Sequence, residues 1–190
     1  MMRQPLFICL DLQRAFIEPG PLRAPHAANA LLESARLLAL ARRQRWTIVH
    51  CLLRRADSSV SVTGEHALPV SGFTPRSLEP VIERETLSAY GHAAFAALLD
   101  AAPHKTALVA GLSASLTFVA TAIDAFERGH RLIVAAEAFA AQEGLEAHAQ
   151  EHEAVARDIA AQLGFPAARM QEALVEPRAR IKFEGERNGQ

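Results

Sequence analysis

Apolar runs and helical patterns alternate along this chain. Leu6 to Leu12 reads as a strand buried on both faces, with Asp11 interrupting its end. His26 to Arg45 repeats Ala and Leu at helical spacing. Arginines gather at its C-terminal end, where the helix dipole favours cations. Thr47 to Leu53 is a second strand and Pro80 to Glu83 a short third. A helix is predicted over Ser88 to Ala101, a strand over Thr106 to Ala110, and a helix over Leu116 to Arg128 that Gly129 stops. Arg131 to Ala136 is a further strand. A last long helix, Leu145 to Leu163, follows Gly144 and is closed by Gly164 and Pro166, and a final strand is expected near Met170 to Val175.

Strands that are continuously apolar and alternate with helices argue for a parallel sheet covered on both faces. Right-handed crossovers then give an α/β, three-layer αβα sandwich, Rossmann-like, with about six strands. At 190 residues the chain fits one domain, 1–190. The long irregular stretch Arg54 to Glu79, rich in Ser, Thr, Gly and Pro, is either a lid or binding loop or a variable surface loop.

Composition narrows the partners. Lys+Arg 20 against Asp+Glu 21 leaves no basic excess for nucleic acid. No apolar run reaches the about 18 residues that span a bilayer, and the start of the chain lacks a signal-peptide cleavage site. Cys9 and Cys51 sit inside apolar runs and do not form a disulfide framework. The cytoplasm is the expected compartment.

In open α/β sheets ligands sit outside the carboxyl ends of the strands. Asp11 ends strand one. Arg84 follows strand three, where the alternative is an ordinary surface arginine. Ser113, Ser115 and Thr117 follow Gly111 at the start of a helix, in G-L-S-A-S-L-T-F-V-A-T-A-I-D-A. Free N–H groups there can hold an anion or a developing oxyanion, or the hydroxyls simply cap the helix. Phe16, Trp46, Phe73, Tyr90 and Phe118 are core by default, with Phe16 and Phe73 also placed to line a pocket. Arg14, Arg54 and Arg55 lie near strand ends. Converging with Arg84, they would make the pocket cationic and suited to a small carboxylate. His148 and His152 form an i, i+4 pair without a third ligand, and no phosphate-binding glycine motif is present.

Three segments together resemble the isochorismatase-like hydrolases, also called the cysteine hydrolase superfamily, over roughly residues 5 to 165. L-D-L-Q-R-A-F is similar to the family's D-x-Q-x-x-F, with Asp11, Gln13 and Phe16 in register. V-I-E-R-E-T-L-S-A-Y resembles V-I-x-K-x-x-x-S-A-F. The segment from Gly111 to Ala125 resembles G-V-x-T-x-x-C-V-x-x-T-A-x-D-A. The resemblance implies a catalytic triad of Asp, Lys and Cys, falling here on Asp11, Arg84 and Thr117, with Ala114 replacing the threonine that borders the oxyanion site. It also implies a small-molecule substrate near Gln13, Phe16, Ser113, Ala114 and Ser115, and a homo-oligomer, dimer or tetramer. Some family amidases carry a D-x-H metal signature after strand two. This chain has His50-Cys51-Leu52-Leu53-Arg54, so neither metal nor cofactor is expected.

The two substitutions change the chemistry available. A free thiol, with a pKa of about 8.5, becomes a nucleophile with modest help, whereas a threonine hydroxyl needs a strong adjacent base. Arg84 cannot be that base, since a guanidinium stays protonated to about pH 12. A guanidinium beside Asp11 also stabilises the carboxylate and weakens it as a base.

Two other routes are open. The resemblance includes vinyl-ether-cleaving members that lack the cysteine and use the aspartate as a general acid. That route requires Arg84 to point away from Asp11 or to hold a substrate carboxylate. A relocated thiol is the other route: Cys51 lies nearer the crevice, and Cys9, two residues before Asp11, sits about 6–7 Å deeper than Asp11. Two functions follow: a divergent hydrolase without a cysteine nucleophile, or a catalytically silent small-molecule-binding or assembly protein. A poised Asp11 with a free carboxyl oxygen marks the first. A bidentate Asp11–Arg84 lock marks the second.

Overall fold

The computed structural model describes residues 4–56, 60–141, 149–165 and 167–168. Its strands are β1 (Leu6–Leu10), β2 (Thr47–Leu53), β3 (Val81–Arg84), β4 (Thr106–Gly111), β5 (Arg131–Phe139) and the two-residue β6 (Ala167–Ala168). They form one parallel sheet in the order β3-β2-β1-β4-β5-β6. The order reverses between β1 and β4. That is the switch point where a crevice opens beyond the strand ends.

Helix α1 (Ala27–Arg43) covers one face of the sheet. Helices α2 (Ala93–Ala101), α3 (Val119–Glu127) and α4 (Ala149–Gln162) follow the other strands. Strand alternation sends Phe7 and Cys9 into a core with Leu37, Leu38 and Ala41 of α1. Leu6, Ile8 and Leu10 pack on the opposite side with Phe95, Leu99, Phe118, Ala156 and Ala160. The expected sandwich is thus present, and no helix among the described residues is long and apolar enough to cross a membrane.

Several boundaries differ from the sequence reading. β1 stops at Leu10 because Asp11 turns left-handed, with φ 54°. The expected helix Ser88–Ala101 is split. A short 3-10 turn, Ala89–Gly91, ends at His92, whose Nδ1 accepts from Ala94 N–H at 3.2 Å and caps α2. The helix expected from Leu116 starts earlier, as a wide π-type turn over Ala114–Phe118 that feeds α3. β5 runs on to Phe139, past an irregularity opposite Val109 to Gly111. Gly129 and Gly164, with φ 66° and 74°, close α3 and α4. Residues 145–148 and the strand expected at 170–175 lie outside the described residues.

The segment from 60 to 79 is packed, not a free surface loop. Val62, Ala67 and Phe73 belong to the α1-side core, and Gln13 pairs as an isolated bridge with Pro69. Gln13 fastens it. Its amide donates to Leu53 O at 2.9 Å and to Ala67 O at 2.8 Å, and its oxygen accepts from Leu53 N–H at 2.8 Å.

Candidate active site

Three strand ends bring their polar residues to one point. Gly111 lies beside Leu10 in the β1–β4 ladder. A Cβ there would collide with the Leu10 carbonyl, so glycine lets the two strands close at the switch point. One residue on, Asp11 adopts its left-handed turn and donates its N–H to Cys51 O at 2.9 Å. Asp tolerates that conformation better than most residues, and such outliers gather at functional sites. Arg84 ends β3 and reaches across β2.

The contacts are specific. Arg84 Nη1 donates to Asp11 Oδ1 at 3.0 Å and Nη2 to Oδ2 at 2.8 Å, a bidentate fork. Thr117 Oγ1 donates to Asp11 Oδ2 at 2.5 Å, with Ser113 O a longer second acceptor at 3.3 Å. Exposure is 0% for Asp11 and Thr117 and 3% for Arg84. Both carboxylate oxygens are therefore engaged, in a place closed to water. Arg84 Nε, also buried, has no hydrogen-bond partner among the described residues.

Three amides of the turn after β4 are already paired. Ala114 N–H donates to Ala140 O at 3.1 Å, Phe118 N–H to Ser113 O at 3.0 Å, and Thr117 N–H to Ser113 Oγ at 3.4 Å. An oxyanion site needs donors aimed at an empty position. Here the Ala114 and Thr117 amides already point at protein oxygens. Thr121 extends the tie. Its Oγ1 donates to Thr117 O at 2.7 Å and accepts from Ala89 N–H at 3.0 Å, joining α3 to the Ser88–Ala89 segment.

The remaining expected residues are placed as follows. Phe16 and Phe73 are buried in the α1-side core, as packing. Ser115 is half-buried on the turn. Arg14, Arg54 and Arg55 do not converge with Arg84: Arg14 pairs with Glu65 at 3.6 Å, Arg54 with Glu83 at 2.7 Å, and Arg55 donates to Glu85 O at 2.9 Å. These arginines form no cationic pocket with Arg84. Each arginine finds a nearer acceptor on its own stretch of surface.

Cys51 is fully buried, and burial pushes its thiol up to about 12. Arg84 pulls against that shift and Asp11 adds to it. Burial raises the Cys9 thiol further still. Neither supplies a thiolate at neutral pH. His148 lies outside the described residues, and among those described no group of three His, Cys, Asp or Glu could hold a metal.

A second network escaped the sequence reading. Arg42 of α1 grips Glu79 with Nε to Oε1 at 2.7 Å and Nη2 to Oε2 at 2.8 Å. His50 Nε2 meets the same Oε2 at 2.9 Å, and Arg76 N–H donates to it at 3.0 Å. Burial alone would raise the Glu79 carboxyl. The bonds from Arg42, Arg76 N–H and His50 reverse that and hold it at about 2. Burial lowers His50, with Glu79 opposing. The available signal was a histidine inside a buried strand, facing an acid just before the next one.

A family description, the isochorismatase domain, matches residues 5–166. Maleamate amidohydrolase of Pseudomonas putida is 31% identical over 179 residues, covering 85% of this chain and 82% of that protein. Streptothricin hydrolase of Streptomyces noursei is 31% identical over 139 residues, covering 70% of this chain and 48% of its own length. A crystal structure of an isochorismatase from Pseudomonas putida superposes with a TM-score of 0.78 at 21% identity, covering 89% of each chain.

Proposed function

The chain belongs to the isochorismatase family, and on that premise we propose that it is a catalytically silent member, a small-molecule-binding or assembly protein in which the triad positions have become structural. One observation carries this reading: both oxygens of the Asp11 carboxylate are engaged by Arg84 and Thr117 in a place sealed from solvent. A general acid needs a carboxyl free to carry a proton to substrate. A nucleophile needs room to meet a carbonyl, and a threonine hydroxyl needs a far stronger base than a carboxylate held by a guanidinium. The turn that would stabilise an oxyanion has its Ala114 and Thr117 amides bonded elsewhere. The cytoplasmic location and the homo-oligomer belong to the same proposal; light scattering reads the oligomer.

A second reading, a divergent hydrolase of small carboxylate-bearing molecules, has its own support. Thr117, Asp11 and Arg84 stand in the order alcohol, carboxylate, orienting cation, which is the geometry of an activated nucleophile. The matched relatives are hydrolases by name.

One experiment separates the two. Purified protein is incubated with maleamate, a panel of small amides and carbamates, and a vinyl ether, with Asp11→Asn in parallel. The silent reading expects product formation at the uncatalysed rate in every case. Turnover that disappears in Asp11→Asn establishes the hydrolase.

A further inference from the structure

Helix α1 leads straight into β2, so its C-terminal end lies at the edge where the strands begin, opposite the rim that holds Asp11. A cleft of about 430 Å³ opens there between the C-terminal half of α1 and the segment carrying Gly72 and Arg76. That volume suits a small molecule. Ala35, Leu38 and Ala39 fall at helical spacing on one face of α1 and form an apolar floor. Arg43 lines the cleft from the helix and Arg76 from the facing loop. Both are exposed. Among the described residues neither side chain has an ion pair, although Arg42 between them is gripped by Glu79.

A helix C-terminus accounts for cations in its own last turn. It does not account for Arg76, which comes from a separate element. The loop is also held in place, because Arg76 N–H and Arg42 both bond Glu79 and Arg42 Nη2 donates to Thr74 O at 3.1 Å. Two unpaired guanidiniums are thus carried on walls whose backbone is already fixed, so a ligand has only their side chains to order.

We propose that this cleft binds a small organic anion, with Arg43 and Arg76 clasping its charged group from the two walls and its carbon skeleton lying on Ala35, Leu38 and Ala39. Phosphate and carboxylate are both matched by a guanidinium fork, so the shared feature is a compact dianionic or carboxylate head on a short apolar body. The site is independent of the rim and of whether the rim turns over substrate.

Titration calorimetry on the full chain tests it, with phenyl phosphate, benzoate and inorganic phosphate as probes. Saturable binding of phenyl phosphate or benzoate is expected, tighter than that of inorganic phosphate. Which organic probe binds more tightly identifies the head group. Arg43→Gln and Arg76→Gln should each weaken binding about tenfold, the loss of one charge-assisted contact. Arg23→Gln, an exposed arginine outside the cleft, should leave it unchanged. Three results overturn the proposal: no saturation at millimolar probe, equal loss in all three variants, or inorganic phosphate binding as tightly as phenyl phosphate.

Discussion

Two arginine–carboxylate forks sit at opposite edges of the same sheet. At the rim, Arg84 grips Asp11 with side chains 1% and 0% exposed, and Thr117 adds a third bond. At the other edge, Arg42 grips Glu79 with side chains 16% and 8% exposed, and His50 and Arg76 N–H add to it. The forks are alike, yet their surroundings differ. The rim network is sealed from solvent, its unpartnered Arg84 Nε included. Arg42 of the other network lines a cleft where two more arginines remain unpaired. A site is therefore defined by the donors and acceptors left over, more than by which charged residues meet.

Breaking the rim fork should produce the largest effect. Arg84→Met leaves a buried carboxylate with only an alcohol for company, and such losses cost about 3–5 kcal/mol. Denaturant unfolding monitored by circular dichroism would read it as a lowered midpoint. Arg42→Met should cost less, about 2 kcal/mol in the same experiment, because solvent reaches Glu79 and His50 and Arg76 N–H still bond it. Equal costs would erase the contrast between the two edges.

Acid should act through the second network. His50 is depressed below its ordinary 6.5 and Glu79 below its ordinary 4.5. A depressed group stabilises the fold above its unfolded pKa, and that contribution is lost as pH falls toward the folded value. Stability should therefore begin to fall below about pH 6.5 through His50. A further loss should follow between about 4.5 and about 2 through Glu79. Melting temperatures at intervals from pH 7.5 to pH 3.5 check the sign, and His50→Gln should remove the first step.

Much of this was legible in the sequence where hydrophobicity sets the outcome. Thr47 to Leu53 is a strand over its whole predicted length, because every position after the first is buried. Legibility failed where backbone geometry overrides pattern. The run was read on through Asp11 to Leu12, but a left-handed turn at Asp11 ends the strand at Leu10. Gly91 and His92 split a helix whose alanines promised continuity. The meeting of Asp11, Arg84 and Thr117 was foreseeable from three motifs at strand ends. The fork between them was not, since chain position does not determine which way a long guanidinium turns. Arg42 was assigned to the helix dipole, although its acceptor lies 37 residues away at Glu79.

If the triad positions have become structural, the rim network is part of the folded core. Catalytic sites commonly hold strained or exposed charge, so neutralising an active carboxylate often leaves stability unchanged or raised. A double-mutant cycle on stability, using Asp11→Asn, Arg84→Met and the pair together, reads the coupling between the two side chains. Asp11→Asn alone should be destabilising, and the double variant should cost at least about 2 kcal/mol less than the sum of the singles. Additive singles, or an Asp11→Asn protein as stable as the parent or more so, would contradict it.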